Sequence, residues 1–225
     1  MATNEQPLTL ISATPSPFAR MNRIALILKG IPFELQNEIP WQSETQTPKY
    51  NPLEKLPILL FPDGRAPVYD SAHIQEYIAR KYADRGPKLL TGDVDLDLDI
   101  GQIVVLAEGL MDAIVLSRFE NRRGEDKISK PWLGRQTRKI EGAMRAFGEI
   151  VKARVDAGKK YLVGDLLTNA DIAAVCAVTA VDFFKAQDGW DGEYVELAKW
   201  VRGLEEGKGF VETRPVAFNI TEVVV

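Results

Sequence analysis

The chain has 225 residues, enough for one large domain or two small ones, and its single cysteine excludes an internal disulfide. Its formal net charge of -4 argues against a nucleic-acid partner, because neutralising phosphates requires a concentrated basic face. We find no apolar run of the roughly 18 to 20 residues that span a bilayer and no signal-type apolar core in residues 1–7, so we expect a cytoplasmic protein without a membrane partner.

The first part of the chain alternates strand and helix patterns. Residues 8–12 form a short apolar run typical of a strand, and residues 18–28 carry a helical period that ends at Gly30. Residues 33–39 then alternate apolar and polar side chains, which predicts a half-buried strand. An irregular polar stretch follows over 40–54.

A hairpin and another helix complete this part. Two apolar runs, 57–61 and 66–69, flank a Pro-Asp-Gly turn, which is a strong hairpin signal. A helical period begins at Ala72. A parallel pair of strands joined by a helix, followed by an antiparallel pair, predicts a small mixed sheet with helices on its faces.

The rest of the chain has only helical patterns. A linker over 83–92 contains Gly-Pro and Thr-Gly, and the stretch 168–184 is apolar nearly all round, which predicts a helix buried in the centre of a bundle. We therefore predict an α/β domain over residues 1–83 and an all-helical domain over residues 93–225. The predicted helical stretches are 100–114, 140–151, 168–184 and 194–204.

The turn between the first strand and the first helix is suited to holding an anion. A helix that begins after Pro17 aims N–H groups and the positive end of its dipole at this turn. A thiol has a pKa near 8.5, and a hydroxyl hydrogen bond together with the helix terminus lowers such a pKa by about two units, or roughly 2.7 kcal/mol. Ser16 is the best-placed donor, with Thr14 and Ser12 as rivals. The alternative is that Ser16 only caps the helix.

Two further segments have the chemistry of a peptide site. A cis peptide before Pro57 turns the Leu56 backbone outward, where its N–H and C=O pair with a peptide ligand as an added strand does. Lys55 is then placed to meet a carboxylate, although Pro57 is otherwise an ordinary residue at the head of a strand. Asp70 and Ser71 precede a helix and suit the ammonium and carboxylate of an amino acid, or else they only cap that helix.

The predicted topology brings the three segments to one edge of the sheet, where they line a groove for a short, doubly anionic peptide with a thiol. Several motifs resemble the cytosolic glutathione transferase superfamily over essentially the whole chain. They are Ser16-Pro17-Phe18, Asn51-Pro52 through Lys55-Leu56-Pro57, Asp70-Ser71, the helix start Thr168-Asn169-Ala170-Asp171, and Phe210 through Thr213-Arg214-Pro215.

The resemblance implies a thioredoxin-like N-terminal domain that binds glutathione, followed by a helical-bundle domain that shapes an apolar pocket for a small hydrophobic electrophile. It implies that Ser16 holds the glutathione thiolate, and that the protein is a homodimer acting in detoxification. The glutathione contacts it implies are Phe18, Lys55, Leu56, Pro57, Asp70 and Ser71.

The motif at the first helix is most similar to serine-type members such as plant tau enzymes and related bacterial and fungal proteins. No tyrosine precedes Tyr50, so the classes that activate glutathione with a tyrosine do not fit. A cysteine in place of Ser16 would favour thiol transfer, and since the residue is a serine that chemistry is not expected. We expect conjugation, ether cleavage or dehalogenation. The alternative is a non-catalytic, glutathione-dependent carrier of hydrophobic ligands.

No metal site is expected. The acidic residues between Asp93 and Asp99 lack the glycine and glutamate that a calcium loop needs, which favours the solvated first turn of a helix. Cys176 lies within the most apolar helical stretch and is interpreted as a buried, packed side chain.

Overall fold

A computed structural model describes residues 6–218. Its contacts divide this part of the chain into two compact units, the first comprising residues 6–90 together with Lys208–Phe218 and the second comprising Thr91–Gly207. Residues 208–218 belong to the predicted helical domain, whereas the structure packs this segment with the first unit. Residues 1–5 and 219–225 of the two predicted domains lie outside the described residues.

The first unit is built on a sheet of four strands in the order β2-β1-β3-β4. The β1 strand pairs with β2 in parallel, and the pairs β1–β3 and β3–β4 are antiparallel. This is the predicted mixed sheet, in which a parallel pair is followed by a hairpin. The strands are β1 Leu8–Ser12, β2 Phe33–Asn37, β3 Ile58–Leu60 and β4 Val68–Tyr69.

Helices cover this sheet and connect its strands. The α1 and α3 helices pack against each other, and α1 ends where Gly30 takes φ +61°, a left-handed position that favours glycine. The three α-helices of the unit are α1 Pro17–Leu28, α2 Thr47–Tyr50 and α3 Ser71–Lys81, and a short 3-10 helix spans Val211–Thr213.

The predicted burial of the second strand is wrong in one respect. Leu35 is 46% exposed although the apolar/polar alternation placed it on the buried face. The β2 strand lies at the edge of the sheet and ends at Asn37. An edge strand has a single neighbour to pack against, so alternation in its sequence does not ensure that one face is covered.

The second unit is all-helical within Thr91–Gly207. The α6 helix is buried along most of its length, as predicted for the helix at the centre of the bundle. The α4 helix packs against both α5 and α6, and α5 packs against α8. The five α-helices are α4 Val94–Glu120, α5 Lys130–Asp156, α6 Asn169–Phe184, α7 Trp190–Glu193 and α8 Val195–Glu205, and a short 3-10 helix spans Glu125–Lys127.

The start of α6 is the predicted capping box. The fully buried Asp171 carboxylate accepts the backbone N–H of Thr168 at 2.8 Å and its hydroxyl at 3.1 Å. Its other oxygen accepts the N–H of Leu162 at 2.9 Å. The box therefore caps α6 and also ties the preceding loop to it.

The α4 helix corrects one expectation from the sequence. It is long and apolar enough to cross a membrane by length and composition, with a mean hydropathy of 1.7 over its most apolar window. The segment contains no uninterrupted apolar run of that length, because Glu108 and Asp112 divide it. A core helix of a helical bundle meets the same criterion, and α4 packs on two neighbouring helices of its own unit.

The acidic helix start and the buried cysteine expected in this unit are confirmed, whereas α4 and α5 extend well beyond the predicted stretches 100–114 and 140–151. Asp93 is the N-cap of α4, and its carboxylate accepts from the N–H groups of Asp95 and Leu96 at 3.0 and 3.1 Å. Asp97 accepts from the hydroxyl of Thr91 at 2.7 Å. Cys176 is buried in α6.

Candidate functional site

Ser16 is the N-cap of α1. Its Oγ accepts a hydrogen bond from the backbone N–H of Ala19 at 3.2 Å, and its own N–H donates to the Ala13 carbonyl at 3.0 Å. The residue is half-buried. Accepting the Ala19 bond occupies a lone pair of the hydroxyl and leaves its hydrogen available to donate. Capping the helix and donating to an anion are therefore compatible roles for the same hydroxyl.

The structure separates Ser16 from the two rival hydroxyls. Ser12 is 0% exposed at the end of β1, where a ligand in solution does not reach it. The Thr14 hydroxyl donates to the carbonyl of Val216 at 3.0 Å. A hydroxyl has one hydrogen, so that bond uses the donor of Thr14. Of the three candidates, Ser16 retains a hydroxyl hydrogen that a ligand can reach.

The first turn of α1 adds a second donor. Pro17 has no N–H, and the N–H groups of Ala19 and Arg20 bond to Ser16. The N–H of Phe18 has no hydrogen-bond partner within residues 6–218. It therefore carries the positive end of the helix dipole at this turn, beside the Ser16 hydroxyl. The predicted contact between Phe18 and the ligand is therefore explained by its backbone N–H, which can donate a hydrogen bond.

The segment before β3 offers free backbone groups. The Leu56-Pro57 peptide bond is cis, as the sequence analysis anticipated, and Pro57 is buried while Leu56 is half-buried. The N–H and C=O of Leu56 bond to none of the residues that the structure describes. An extended peptide ligand can therefore pair with both groups as an added strand. The Lys55 side chain beside them is exposed.

Asn51 fixes this segment, and the sequence analysis gave it no role beyond its place in the motif. It is 1% exposed, its side-chain Nδ2 donates to the Lys55 carbonyl at 2.9 Å, and its Oδ1 accepts the N–H of Leu53 at 2.9 Å. A buried amide that bonds at both ends holds the 51–55 turn in one conformation. The chain thereby enters the cis peptide in a defined direction.

Asp70, rather than Ser71, caps α3. Its Oδ1 accepts the N–H groups of Ala72 and His73, both at 3.1 Å, and its φ is +78°, a value that few residues other than glycine adopt. The capping role that the sequence indicated for both residues belongs to Asp70 alone, because Ser71 is the first helical residue and is 4% exposed. Both capping bonds fall on one oxygen of the exposed Asp70 carboxylate, which leaves Oδ2 for a cationic group of a ligand.

The strand register brings the three segments to one edge of the sheet, as predicted. Ile58 lies opposite Ile11 on β1 and opposite Tyr69 on β4. The Ser16 turn follows β1, the cis peptide precedes Ile58, and Asp70 follows Tyr69. A hydroxyl with an adjacent N–H, a free backbone pair and a carboxylate thus share an edge. These are the groups that the thiol, the peptide backbone and the amino end of a peptide thiol require.

The polar loop after β2 is ordered by hydrogen bonds, although its sequence predicts only an irregular stretch over 40–54. The Glu38 carboxylate accepts from the hydroxyl of Thr45 at 2.8 Å and from the N–H of Gln46 at 3.2 Å. These bonds close the loop beside a cavity of about 270 Å³. The cavity is lined by Asn37, Glu38, Ile39, Gln42, Glu44, Thr45 and Phe218.

Two family models match the chain. The model of the N-terminal domain of glutathione S-transferase matches residues 15–81, and the model of the C-terminal domain matches residues 110–206. The first match contains Ser16, the Leu56-Pro57 peptide and Asp70. The second contains the capping box of α6.

Individual proteins are similar over almost the full length. The uncharacterized GST-like protein YibF of Escherichia coli (strain K12) is 33% identical over 213 residues, spanning 92% of this chain and 98% of that protein. A glutathione S-transferase from Methylobacterium radiotolerans, in complex with glutathione sulfonate, has a TM-score of 0.90 and 42% identity over 98% of this chain and 100% of its own. One from Methylobacillus flagellatus, with glutathione bound, has a TM-score of 0.83 and 26% identity over 93% and 100%. The thioredoxin-like sheet domain, the helical domain and these similarities together show that the chain belongs to the glutathione S-transferase family.

Proposed function

We propose that this protein is a serine-type, tau-like glutathione transferase, in which the Ser16 hydroxyl holds the thiolate of glutathione for attack on a small apolar electrophile. One observation carries the proposal. Among Ser12, Thr14 and Ser16, only Ser16 keeps a hydroxyl hydrogen that a ligand can reach, because Ser12 is fully buried and Thr14 donates to Val216.

The Ser16 hydroxyl and the Phe18 N–H supply two donors to one sulfur. Hydrogen bonds to the charged form of a group lower its pKa, and a helix N-terminus acts in the same direction. The proton leaves to solvent, and the sulfur then forms a bond to an electrophilic carbon. In a substitution the leaving group departs with its electron pair, which accounts for conjugation, ether cleavage or dehalogenation.

The other predicted contacts orient the tripeptide. The Leu56 N–H and C=O pair with its cysteinyl part, the Lys55 ammonium meets the glycine carboxylate, and Asp70 takes the γ-glutamyl ammonium through Oδ2. Pro57 holds the Leu56 backbone outward, and Ser71 lies next to Asp70 in the first turn of α3. Support comes from the M. radiotolerans and M. flagellatus proteins, which bind glutathione sulfonate and glutathione in folds with TM-scores of 0.90 and 0.83.

The cellular setting belongs to the same proposal. We expect a cytoplasmic homodimer that acts in detoxification, as the family resemblance implies. Light scattering on the purified chain tests the dimer, and it contradicts this part of the proposal if the mass is that of a single 25.1 kDa chain.

Ultraviolet titration of the thiolate of bound glutathione tests the role of Ser16. In the wild type we expect the thiol pKa to lie about two units below its usual value of roughly 8.5, and in Ser16→Ala we expect it to return toward that value. Ser129→Ala is the matched control, since Ser129 caps α5 through a bond from the Trp132 N–H at 3.3 Å. Both variants lose a cap worth ~1 kcal/mol, so a shift in Ser16→Ala alone separates donation from capping.

The same titration distinguishes the alternative function. A carrier of hydrophobic ligands needs glutathione affinity but no ionised sulfur. If bound glutathione titrates alike in the wild type and in Ser16→Ala, the catalytic role of Ser16 is wrong. If the pKa of the bound thiol is also undepressed in the wild type, the carrier function is favoured.

A further inference from the structure

The last described segment of the chain, Lys208–Phe218, lies along α1 and is called the C-terminal strap here. It runs antiparallel to the helix. At its start, Gly209 takes φ +86°, and a Cβ at that position would lie 3.6 Å from the Ile24 carbonyl oxygen and from the Ile27 side chain. At its end, Phe218 lines the cavity beside the loop that follows β2. The strap thus extends from the last turn of α1 past its first turn.

A buried arginine in the first turn of α1 fastens the middle of the strap. Arg20 is 1% exposed, and its guanidinium donates to the Phe210 carbonyl at 3.0 Å and to the Thr213 hydroxyl at 3.3 Å. The Thr213 hydroxyl donates in turn to the Gly209 carbonyl at 2.7 Å. A buried guanidinium is costly without such partners, so these bonds hold strap and helix together.

A second attachment lies on the other side of Ser16. The Thr14 hydroxyl donates to the Val216 carbonyl at 3.0 Å, and the Thr14 carbonyl accepts from the Arg23 guanidinium at 3.3 Å. The strap is therefore bonded two residues before Ser16 and four residues after it.

These attachments differ from the bonds of the turn itself, which join residues close together in the sequence. The bonds of Ser16 to Ala13 and Ala19 fix its backbone and one lone pair, but both lie within the turn and the start of α1 and do not tie them to a distant segment. A donor stabilises an anion only when it is held within a fraction of an ångström of its productive position. Bonds to the strap on both sides of Ser16 supply that restraint.

We propose that Thr14 and Arg20 are positioning residues of the thiolate site, acting through the C-terminal strap to hold the Ser16 hydroxyl and the Phe18 N–H on the glutathione sulfur. This inference rests on the proposed function of Ser16. It assigns a role in the chemistry to bonds that join residues about 190 to 200 positions apart, as the Arg20–Phe210 and Thr14–Val216 pairs do.

The test compares Thr14→Val and Arg20→Lys with the wild type in the thiolate titration. Thr14→Val keeps the shape of the side chain and removes the donor to Val216, whereas Arg20→Lys keeps the charge and removes the paired donors. The matched control is Thr137→Val, because the exposed Thr137 hydroxyl donates to the Leu133 carbonyl at 3.1 Å in the helical unit. Calorimetry with S-methylglutathione, which has no ionisable thiol, measures tripeptide binding separately.

We expect Thr14→Val to raise the pKa of the bound thiol by about one unit, a roughly tenfold loss of thiolate below that pKa, while its affinity for S-methylglutathione stays at the wild-type value. We expect Arg20→Lys to raise it at least as far and Thr137→Val to leave it unchanged. If Thr14→Val lowers the melting temperature but the bound thiol keeps the depressed pKa of the wild type, the strap is merely structural. This inference is then overturned, while the role of Ser16 survives. An undepressed pKa in the wild type overturns both.

Discussion

The capping box of α6 gives a stability prediction whose size follows from its bonds. Asp171→Ala removes the acceptor of two backbone N–H groups, those of Leu162 and Thr168, and of the Thr168 hydroxyl. The site is fully buried, so the two N–H groups lose their partner away from solvent. Each such loss costs about 1–3 kcal/mol, and the hydroxyl can rotate to another acceptor, so we expect a cost of about 3–5 kcal/mol.

Two companion variants fix the interpretation. Thr168→Ala removes the capping hydroxyl but leaves both N–H bonds, and should cost ~1 kcal/mol. Asp171→Asn keeps one carbonyl oxygen as an acceptor but turns the amide NH2 toward a backbone N–H, which is also a donor. Its cost should therefore lie between those of Asp171→Ala and Thr168→Ala. Urea unfolding followed by tryptophan fluorescence measures all three, because Trp190 donates its indole N–H to Asp182 of α6 at 2.9 Å and reports on this helix.

The pH dependence adds an independent check. Burial raises the pKa of the Asp171 carboxyl above its usual 3.8, and its hydrogen bonds oppose that shift. The folded state therefore binds this proton at a higher pH than the unfolded state does. The part of the free energy of unfolding that comes from binding this proton is full below pH 3.8 and is lost as the pH rises through the folded-state pKa, while the hydrogen bonds to Asp171 remain. The advantage of the wild type over Asp171→Ala should shrink over that window. A cost near 1 kcal/mol in Asp171→Ala, equal to that of Thr168→Ala, would refute the reasoning.

Two further predictions concern buried polar groups in the first unit. Burial lowers the pKa of Lys29 from its usual 10.5, with Asp84 partly opposing the shift, while its ammonium donates to the Tyr82 carbonyl at 2.9 Å. The unfolded state then binds more protons, so the free energy of unfolding should rise with pH from the folded-state pKa to 10.5, and urea unfolding of Lys29→Met should lack this rise. Gln75 is 1% exposed with neither amide atom bonded among the described residues. Gln75→Leu should therefore raise the free energy of unfolding by about 1 kcal/mol, and a melting temperature below that of the wild type would contradict this.

Local signals explain why much of the first unit was predictable. The Pro-Asp-Gly turn, the break before Pro17 and the glycine at position 30 each act within a few residues, and β1, α1 and the hairpin lie where those signals placed them. The order of these elements then fixed which segments share a sheet edge, since the register of β1, β3 and β4 follows from it.

Long-range packing explains what the sequence did not reveal. The strap depends on a bond between Arg20 and Phe210, and no local pattern near either residue indicates the other. The exposure of Leu35 depends on which strand lies at the edge of the sheet. The choice between Asp70 and Ser71 as a cap depends on the φ of +78° at Asp70, which neither residue type predicts.

The structural and functional interpretations of Ser16 and Asp70 are not alternatives. Ser16 accepts the helix N–H on a lone pair and keeps its hydrogen, while Asp70 serves α3 with Oδ1 and keeps Oδ2. Each side chain thus uses one part of its polar group to hold a helix and keeps another part available to the ligand proposed above. A capping preference in the sequence is therefore no argument against a role in binding, and loss of stability in a variant is no argument for one. Only a measurement on the ligand atom that the free hydrogen or oxygen would touch separates the two.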